Sequence, residues 1–147
     1  MAVLNHLEPQ RVFRFFEELC AIPHGSGNTK AVSDWLGDFA KAPDHVHVTL
    51  EDHRLVIFRD ATPGYESAEP VILQGHMDMV CEKEPGCTKD MAAEGLDLVL
   101  EGDHVSARGT TLGGDDGIAV AMAMAILDDD SLSHPAIEAI FTVDEET

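Results

Sequence analysis

Apolar side chains recur at helical spacing in two stretches of the first 40 residues. Residues 9–22 predict an amphipathic helix that has Pro9 in its first turn and ends at Pro23. Residues 28–40 predict a second helix, which Asn28 is expected to cap. A turn-rich segment, residues 24–28, connects the two helices. The apolar positions expected to face inward are Val12, Phe15, Phe16, Leu19, Val32, Leu36 and Phe39.

The pattern then changes to the alternation and the short apolar runs that are typical of strands. Residues 46–50 and 55–58 predict two strands joined by a turn at 51–53. Residues 98–100 and 104–107 predict a hairpin around Gly102-Asp103. The apolar run 71–73 predicts a strand buried on both faces, and 136–143 predict another buried strand. Residues 118–127 are apolar on nearly every side, which predicts a buried helix.

Helices that alternate with buried strands predict an α/β layered fold. In such sheets, functional side chains gather beyond the carboxyl ends of the strands. Three acidic or metal-prone clusters occupy such positions. They are His76 to Asp78 after one strand, Asp115 and Asp116 before the buried helix, and Glu145 and Glu146 after the last strand. Their expected convergence predicts a metal site, because bound cations would neutralise this concentration of negative charge.

The first cluster is Gly75-His-Met-Asp78. If the extended chain continues through it, His76 and Asp78 point to the same face, because side chains alternate with a period of two. A histidine and a carboxylate are suitable zinc ligands, and a carboxylate beside a ligating histidine orients it. A His-x-Asp pair taken alone also fits a solvated loop.

The second and third clusters each allow two interpretations. Asp115 and Asp116 follow a glycine-rich segment, and a carboxylate that bridges two metals would relieve their mutual repulsion. They equally fit a helix N-terminus, where aspartate is favoured. In the Asp144-Glu145-Glu146 run, one carboxylate could bind metal while its neighbour takes a proton from water. A polar strand end is the alternative.

The charge of the chain excludes some partners. Nine Lys and Arg stand against 28 Asp and Glu, for a formal net charge of −19. Such a chain is expected to repel nucleic acid and anionic membranes and to suit cations or cationic substrates. The N-terminal residues do not read as a signal peptide and no stretch reads as a membrane span, so a cytoplasmic setting is expected. The three cysteines, an odd number, fit a reducing compartment.

The remaining histidines are predicted to be solvated, with His24 the exception that could approach the site because its loop is rich in glycine. Cys81 is expected in a small apolar role rather than as a zinc ligand. The histidines expected in loops or on strand faces beside charged residues are His6, His24, His45, His47, His53, His104 and His134.

Four stretches resemble the M20 di-zinc metallopeptidases, the family that includes carboxypeptidase-G2-like and acetylornithine-deacetylase-like enzymes. Within it, the chain looks most like the aminoacyl-histidine (Xaa-His) dipeptidases, or bacterial carnosinases. The Arg-Gly-Thr-Thr-Leu-Gly segment followed by aspartate is the most specific feature. The four stretches are residues 23–28, 75–83, 107–118 and 142–147.

The resemblance implies a role for each acidic or imidazole side chain. His76 would bind one zinc, Glu146 the other, and Asp115 would bridge both. Asp78 would support His76, and Glu145 would be the general base. The peptide bond after Asp115 would be cis. Two Zn²⁺ ions are implied as cofactors, with Co²⁺ or Mn²⁺ as alternatives, and the implied substrate is a small peptide.

The resemblance also implies an architecture: a three-layer, mixed-sheet catalytic domain of which residues 1–147 form the N-terminal part. A lid or dimerisation domain and the rest of the catalytic domain would lie outside this chain, and full-length relatives would be homodimers. The expected activity is hydrolysis of Xaa-His dipeptides such as carnosine, with the isolated chain inactive. The alternatives are a relative that acts on tripeptides or N-acyl amino acids, and an acidic module that binds divalent cations without catalysis.

Overall fold

The computed structural model describes residues 2–147, which form three helices and six strands. The predicted elements are all present, with ends shifted by a few residues. The helices are α1 (Gln10–Cys20), α2 (Lys30–Phe39) and α3 (Gly114–Asp128), and the strands are β1 (His45–Thr49), β2 (Leu55–Arg59), β3 (Val71–His76), β4 (Leu98–Glu101), β5 (His104–Ala107) and β6 (Ile137–Thr142).

Four strands form a mixed sheet in the order β1-β2-β6-β3. β1, β2 and β6 pair antiparallel, whereas β3 and β6 are parallel. β4 and β5 form the separate hairpin that the sequence predicts. β6, the last strand in the sequence, lies in the interior of the sheet between β2 and β3. The carboxyl ends of β3 and β6 consequently lie side by side, with His76 opposite Thr142.

One face of the sheet carries the core. Leu55 and Ile57 of β2 and Ala139 and Phe141 of β6 are buried there, together with the apolar faces of all three helices. α3 packs against β3 and α1 packs against α3. Gly75 allows the close approach of α3, because a Cβ there would lie 3.3 Å from the backbone nitrogen of Val120.

On the opposite face of the sheet, one prediction about burial is wrong. Residues 71–73 are not buried on both faces, because Val71 is 42% exposed and Ile72 is 61% exposed. β3 is an edge strand, and within residues 2–147 the helices cover only one side of the sheet. The described residues thus form two of the three expected layers. None of the helices in this range has the length and hydropathy needed to cross a membrane.

Three local predictions are wrong. The N-cap of α2 is Thr29, while the Asn28 side chain donates a hydrogen bond to the Ala92 carbonyl at 3.1 Å. Tertiary packing buries two of the histidines expected in solvent, the His45 side chain and His134, and also buries His24, which was the predicted exception. Cys81 is exposed rather than enclosed by apolar side chains, although its sulfur packs against Gly25.

Candidate metal centre

His76 stands at the carboxyl end of β3 and is 6% exposed. Its Nδ1 faces Asp78, at 3.0 Å from the backbone carbonyl oxygen and 3.3 Å from Oδ1. Its Nε2 faces two carboxylates, Asp115 at 3.0 Å and Glu145 at 3.9 Å. An Nδ1–H that donates to Asp78 leaves the Nε2 lone pair directed at these acids, which is the tautomer that a metal ligand requires.

Asp78 is 1% exposed and accepts hydrogen bonds on both oxygens. Oδ2 accepts from the Ser26 hydroxyl at 2.7 Å and from the Glu146 N–H at 3.1 Å. Oδ1 accepts from the Glu145 N–H at 3.1 Å. Asp78 therefore ties the turn after β6 to the segment after β3 and to the loop that follows α1.

These donors set the charge of Asp78. Burial alone raises the pKa of a carboxyl group. Here the Ser26 hydroxyl and the backbone N–H groups of Glu146, Glu145 and Asp78 itself outweigh burial, so the pKa of Asp78 lies below its ordinary value. Asp78 is a buried carboxylate anion at neutral pH, which is the form that holds an imidazole N–H.

The carboxylates act on His76 in the opposite direction. Burial alone lowers the pKa of an imidazole, but the hydrogen bonds to Asp115 and to the Asp78 carbonyl, with the charges of Asp78 and Asp116, raise the pKa of His76 above its ordinary value. The imidazole thus lies in a strongly negative local field, which also attracts metal cations.

At the N-terminus of α3, the side chains of Asp115 and Asp116 point in different directions. Gly113 adopts φ +71°, and a Cβ there would lie 2.9 Å from the Met79 side chain. Asp115 and Asp116 are joined by a cis peptide bond, as the resemblance implied, and neither has helical backbone angles. Asp116 turns inward, so that its Oδ2 accepts the His76 N–H at 3.3 Å. Asp115 turns outward, with a side chain that is 84% exposed.

Glu145 and Glu146 follow β6 in an exposed turn that begins at Asp144. Asp144 has φ +55°, a conformation that aspartate tolerates better than most residues. Its Oδ1 accepts the Gly27 N–H at 2.7 Å. This contact and the bonds to Asp78 fix the backbone of the turn, while both glutamate side chains extend towards His76.

The structure brings together all five predicted site residues. Two groups of side chains have potential ligand atoms within 4.8 Å of one another: His76 with Asp115 and Asp116, and His76 with Glu145 and Glu146. These groups offer one imidazole nitrogen and several carboxylate oxygens, and Asp78 holds the imidazole in place from its other side. Such a donor set fits zinc. Cys81 is outside both groups.

Sequence reasoning missed three supporting residues, Ser26, Asp116 and Asp144. Asp116 was recognised only as a neighbour of Asp115, and its inward orientation depends on the backbone at the start of α3. Ser26 lies in the glycine-rich loop already selected by the resemblance, which was the available signal. Nothing in the local sequence connects Ser26 or Asp144 to their partners, which are 52 and 117 positions away.

Comparisons with known proteins show what the chain is similar to. No family model matches the chain. The chain is 35% identical over 147 residues to the cytosol non-specific dipeptidase of Escherichia coli. It is thus similar to part of a dipeptidase. The match takes in 99% of this chain and 30% of that protein.

Solved structures show the same fold. The aminoacylhistidine dipeptidase of Vibrio alginolyticus superposes with a TM-score of 0.95 at 32% identity, over 99% of this chain and 30% of that one. A tripeptidase from Staphylococcus aureus superposes with a TM-score of 0.74 at 23% identity, over 95% of this chain and 38% of that one. The chain thus has the mixed α/β fold of these peptidases and spans about a third of their length.

Proposed function

We propose that the chain supplies the first metal-binding part of a di-zinc dipeptidase that hydrolyses Xaa-His dipeptides such as carnosine. The main support is the environment of His76, with Nδ1 against a buried carboxylate and Nε2 3.0 Å from Asp115. In this proposal residues 1–147 are the N-terminal part of a cytoplasmic catalytic domain. The names of the two dipeptidases similar to this chain support the substrate class.

Each side chain has a distinct task in this reaction. His76, Asp115 and Glu146 would hold the metal ions, with Asp115 proposed as a ligand to both. Asp78 keeps the His76 proton on Nδ1. Bound zinc supplies Lewis acidity, which acidifies water and polarises the scissile carbonyl. Glu145 accepts the proton of the attacking water and then donates it to the leaving amine, so that its carboxylate is regenerated.

The preference for histidine on the amine side is supported by the similarity to an aminoacylhistidine dipeptidase and by the Arg108 to Gly113 segment. This segment is the most specific feature of the resemblance to the aminoacyl-histidine dipeptidases, and only Gly114 separates it from Asp115. The isolated 147-residue chain is proposed to bind zinc but not to turn over substrate, because further ligands and substrate contacts belong to other parts of such enzymes.

Zinc titration calorimetry on the chain tests the metal site. We expect His76→Ala to weaken zinc binding about 10-fold or more, in the range seen when metal ligands or their supports are lost. Glu145→Gln should leave zinc binding within about twofold, because Glu145 is assigned a proton rather than a metal. His104→Ala is the matched control, since His104 is an exposed histidine on the β4–β5 hairpin.

Carnosine hydrolysis tests the reaction in the longest natural polypeptide that contains these residues. Glu145→Gln should abolish hydrolysis there while zinc content is retained. Zinc binding with unchanged hydrolysis in that variant would refute the assignment of Glu145. Zinc binding without hydrolysis of any peptide by the unsubstituted protein would favour the non-catalytic alternative.

A further inference from the structure

A cavity of about 350 Å³ lies beside the candidate metal centre. It opens between the loop after α1, the segment after β3 and residues 91–92. Two of its lining residues also belong to the centre: Glu146 is a predicted ligand, and Ser26 binds Asp78. A peptide held at the metal centre would therefore have one side chain next to the mouth of this cavity.

Most of the cavity lining is apolar. Met79 and Met91, which are 2% and 8% exposed, are joined by Val80, Cys81 and Ala92, whereas Ser26, Asn28 and Thr147 contribute polar groups. Glu146 is the one carboxylate in the lining, although 28 of the 147 residues are acidic. Because this carboxylate lies where the metal would neutralise it, the interior suits an uncharged side chain.

Tight packing preforms this wall. A Cβ on Gly25 would lie 2.7 Å from the Cys81 Sγ, so the thiol rests directly on the glycine. The Met79 backbone pairs with the loop after α1, donating to the His24 carbonyl at 3.1 Å and accepting the Ser26 N–H at 3.3 Å. The Asn28 amide holds the Ala92 carbonyl at 3.1 Å.

We propose that this cavity receives an apolar side chain from the substrate residue that flanks the scissile bond, and that Met79, Met91 and Cys81 determine this preference. The inference rests on the proposed peptidase function, to which it adds a substrate class. Methionine side chains are flexible and polarisable, so the cavity accepts apolar side chains of several shapes and rejects carboxylates.

The native thiols report occupancy directly. Cys81 lines the cavity, whereas Cys87 lies elsewhere and is partly exposed. The Glu145→Gln form of the longest natural polypeptide that contains these residues, which should not hydrolyse the probe, is loaded with zinc. It is treated with iodoacetamide in the presence of Leu-His or Asp-His, and alkylation of each cysteine is followed by mass spectrometry. Leu-His bound in the cavity should slow Cys81 alkylation severalfold, because a ligand that fills a concave site excludes the reagent from its wall. Asp-His should have no effect on Cys81, and Cys87 should react at one rate throughout.

Two variants separate filling of the cavity from general effects on the fold. Ala92→Phe places a ring in the cavity and should abolish the protection by Leu-His. Ala93→Phe is the matched control, because Ala93 is an exposed neighbour outside the lining and should leave protection intact.

The outcomes distinguish the two proposals. A chain that binds zinc but shows equal Cys81 alkylation at every Leu-His concentration contradicts the cavity assignment alone. Equal protection by Leu-His and Asp-His, or protection that survives Ala92→Phe, also contradicts it. A chain that fails to bind zinc in the same samples contradicts the proposed function, and the cavity assignment with it.

Discussion

Replacing Asp78 by asparagine tests the most connected side chain of the centre. The substitution keeps the shape of the side chain but exchanges one oxygen for an NH₂ group and removes the charge. Both oxygens accept backbone N–H groups, from Glu145 and from Glu146, each at 3.1 Å. In either orientation of the amide, the NH₂ group must therefore face a backbone donor.

The cost follows from this geometry. A hydrogen bond to a charged acceptor contributes about 1.5–3 kcal/mol, and its loss includes the cost of leaving the backbone N–H without an acceptor. We therefore expect Asp78→Asn to lower the free energy of unfolding by about 2–3 kcal/mol. The Ser26 hydroxyl rotates to suit either atom and adds little to this difference.

Urea unfolding followed by the fluorescence of Trp35, the single tryptophan, measures this free energy. Asp144→Asn is the matched control, because asparagine also tolerates the positive φ of that residue and its carbonyl oxygen can still accept the Gly27 N–H. We expect the control to change stability by less than about 0.5 kcal/mol. An Asp78→Asn variant as stable as the control would show that the buried carboxylate does not hold the two turns together.

The same comparison has a pH signature. Because the folded-state pKa of Asp78 is depressed below 3.8, its ionised form stabilises the folded chain above that pH. The stability difference between wild type and Asp78→Asn should not fall between neutrality and about pH 4, because protonation of His76, whose pKa the Asp78 charge raises, adds to it. It should shrink as the pH falls below about 3.8 towards the folded-state pKa. A difference that vanishes at higher pH would mean that Asp78 is not held as an anion.

Three contacts away from the metal centre have measurable consequences. Arg59→Ala should lower the free energy of unfolding by about 2–3 kcal/mol, because Arg59 is 9% exposed and donates a hydrogen bond to the Leu127 carbonyl near the end of α3 at 2.7 Å. Arg54→Ala, at an exposed arginine, should lower it by at most about 0.5 kcal/mol. Equal losses of the two variants in urea unfolding would contradict a stabilising role for the Arg59 hydrogen bond. Gly95→Ala should lower the melting temperature, because its Cβ would lie 2.5 Å from the Ala21 carbonyl oxygen, whereas Gly37→Ala in α2 should raise it, because a Cβ there makes only an ordinary 3.8 Å contact with Leu55. The reverse order of melting temperatures would contradict this packing. Burial, with a smaller contribution from the Glu17 charge, raises the pKa of the Cys20 thiol to about 12. Cys20 should therefore resist alkylation by iodoacetamide until the chain unfolds. Alkylation of Cys20 in the native protein would show that its burial is incomplete.

Local information was enough to predict the elements and the positions of the acidic clusters. Helical periodicity identified α1 and α2, and alternation identified β1 and β2, because these patterns arise within a few residues of one another. The positions of His76, Asp115 and Glu146 at element ends could likewise be read from where the apolar runs stop. The convergence of those ends was an inference from the α/β pattern, and the geometry around His76 agrees with it.

The tertiary structure alone decided how these residues are used. Asp78 is held by donors 52, 67 and 68 positions away, and these contacts exist only because β6 inserts beside β3. The same long-range packing buries His24, His45 and His134, leaves one side of β3 exposed, and turns Asp116 inward while Asp115 faces out. Hydrophobic periodicity predicts which side chains of an element face inward. Whether a given side chain is buried and what it hydrogen-bonds to depend on which segment, distant in sequence, packs against it.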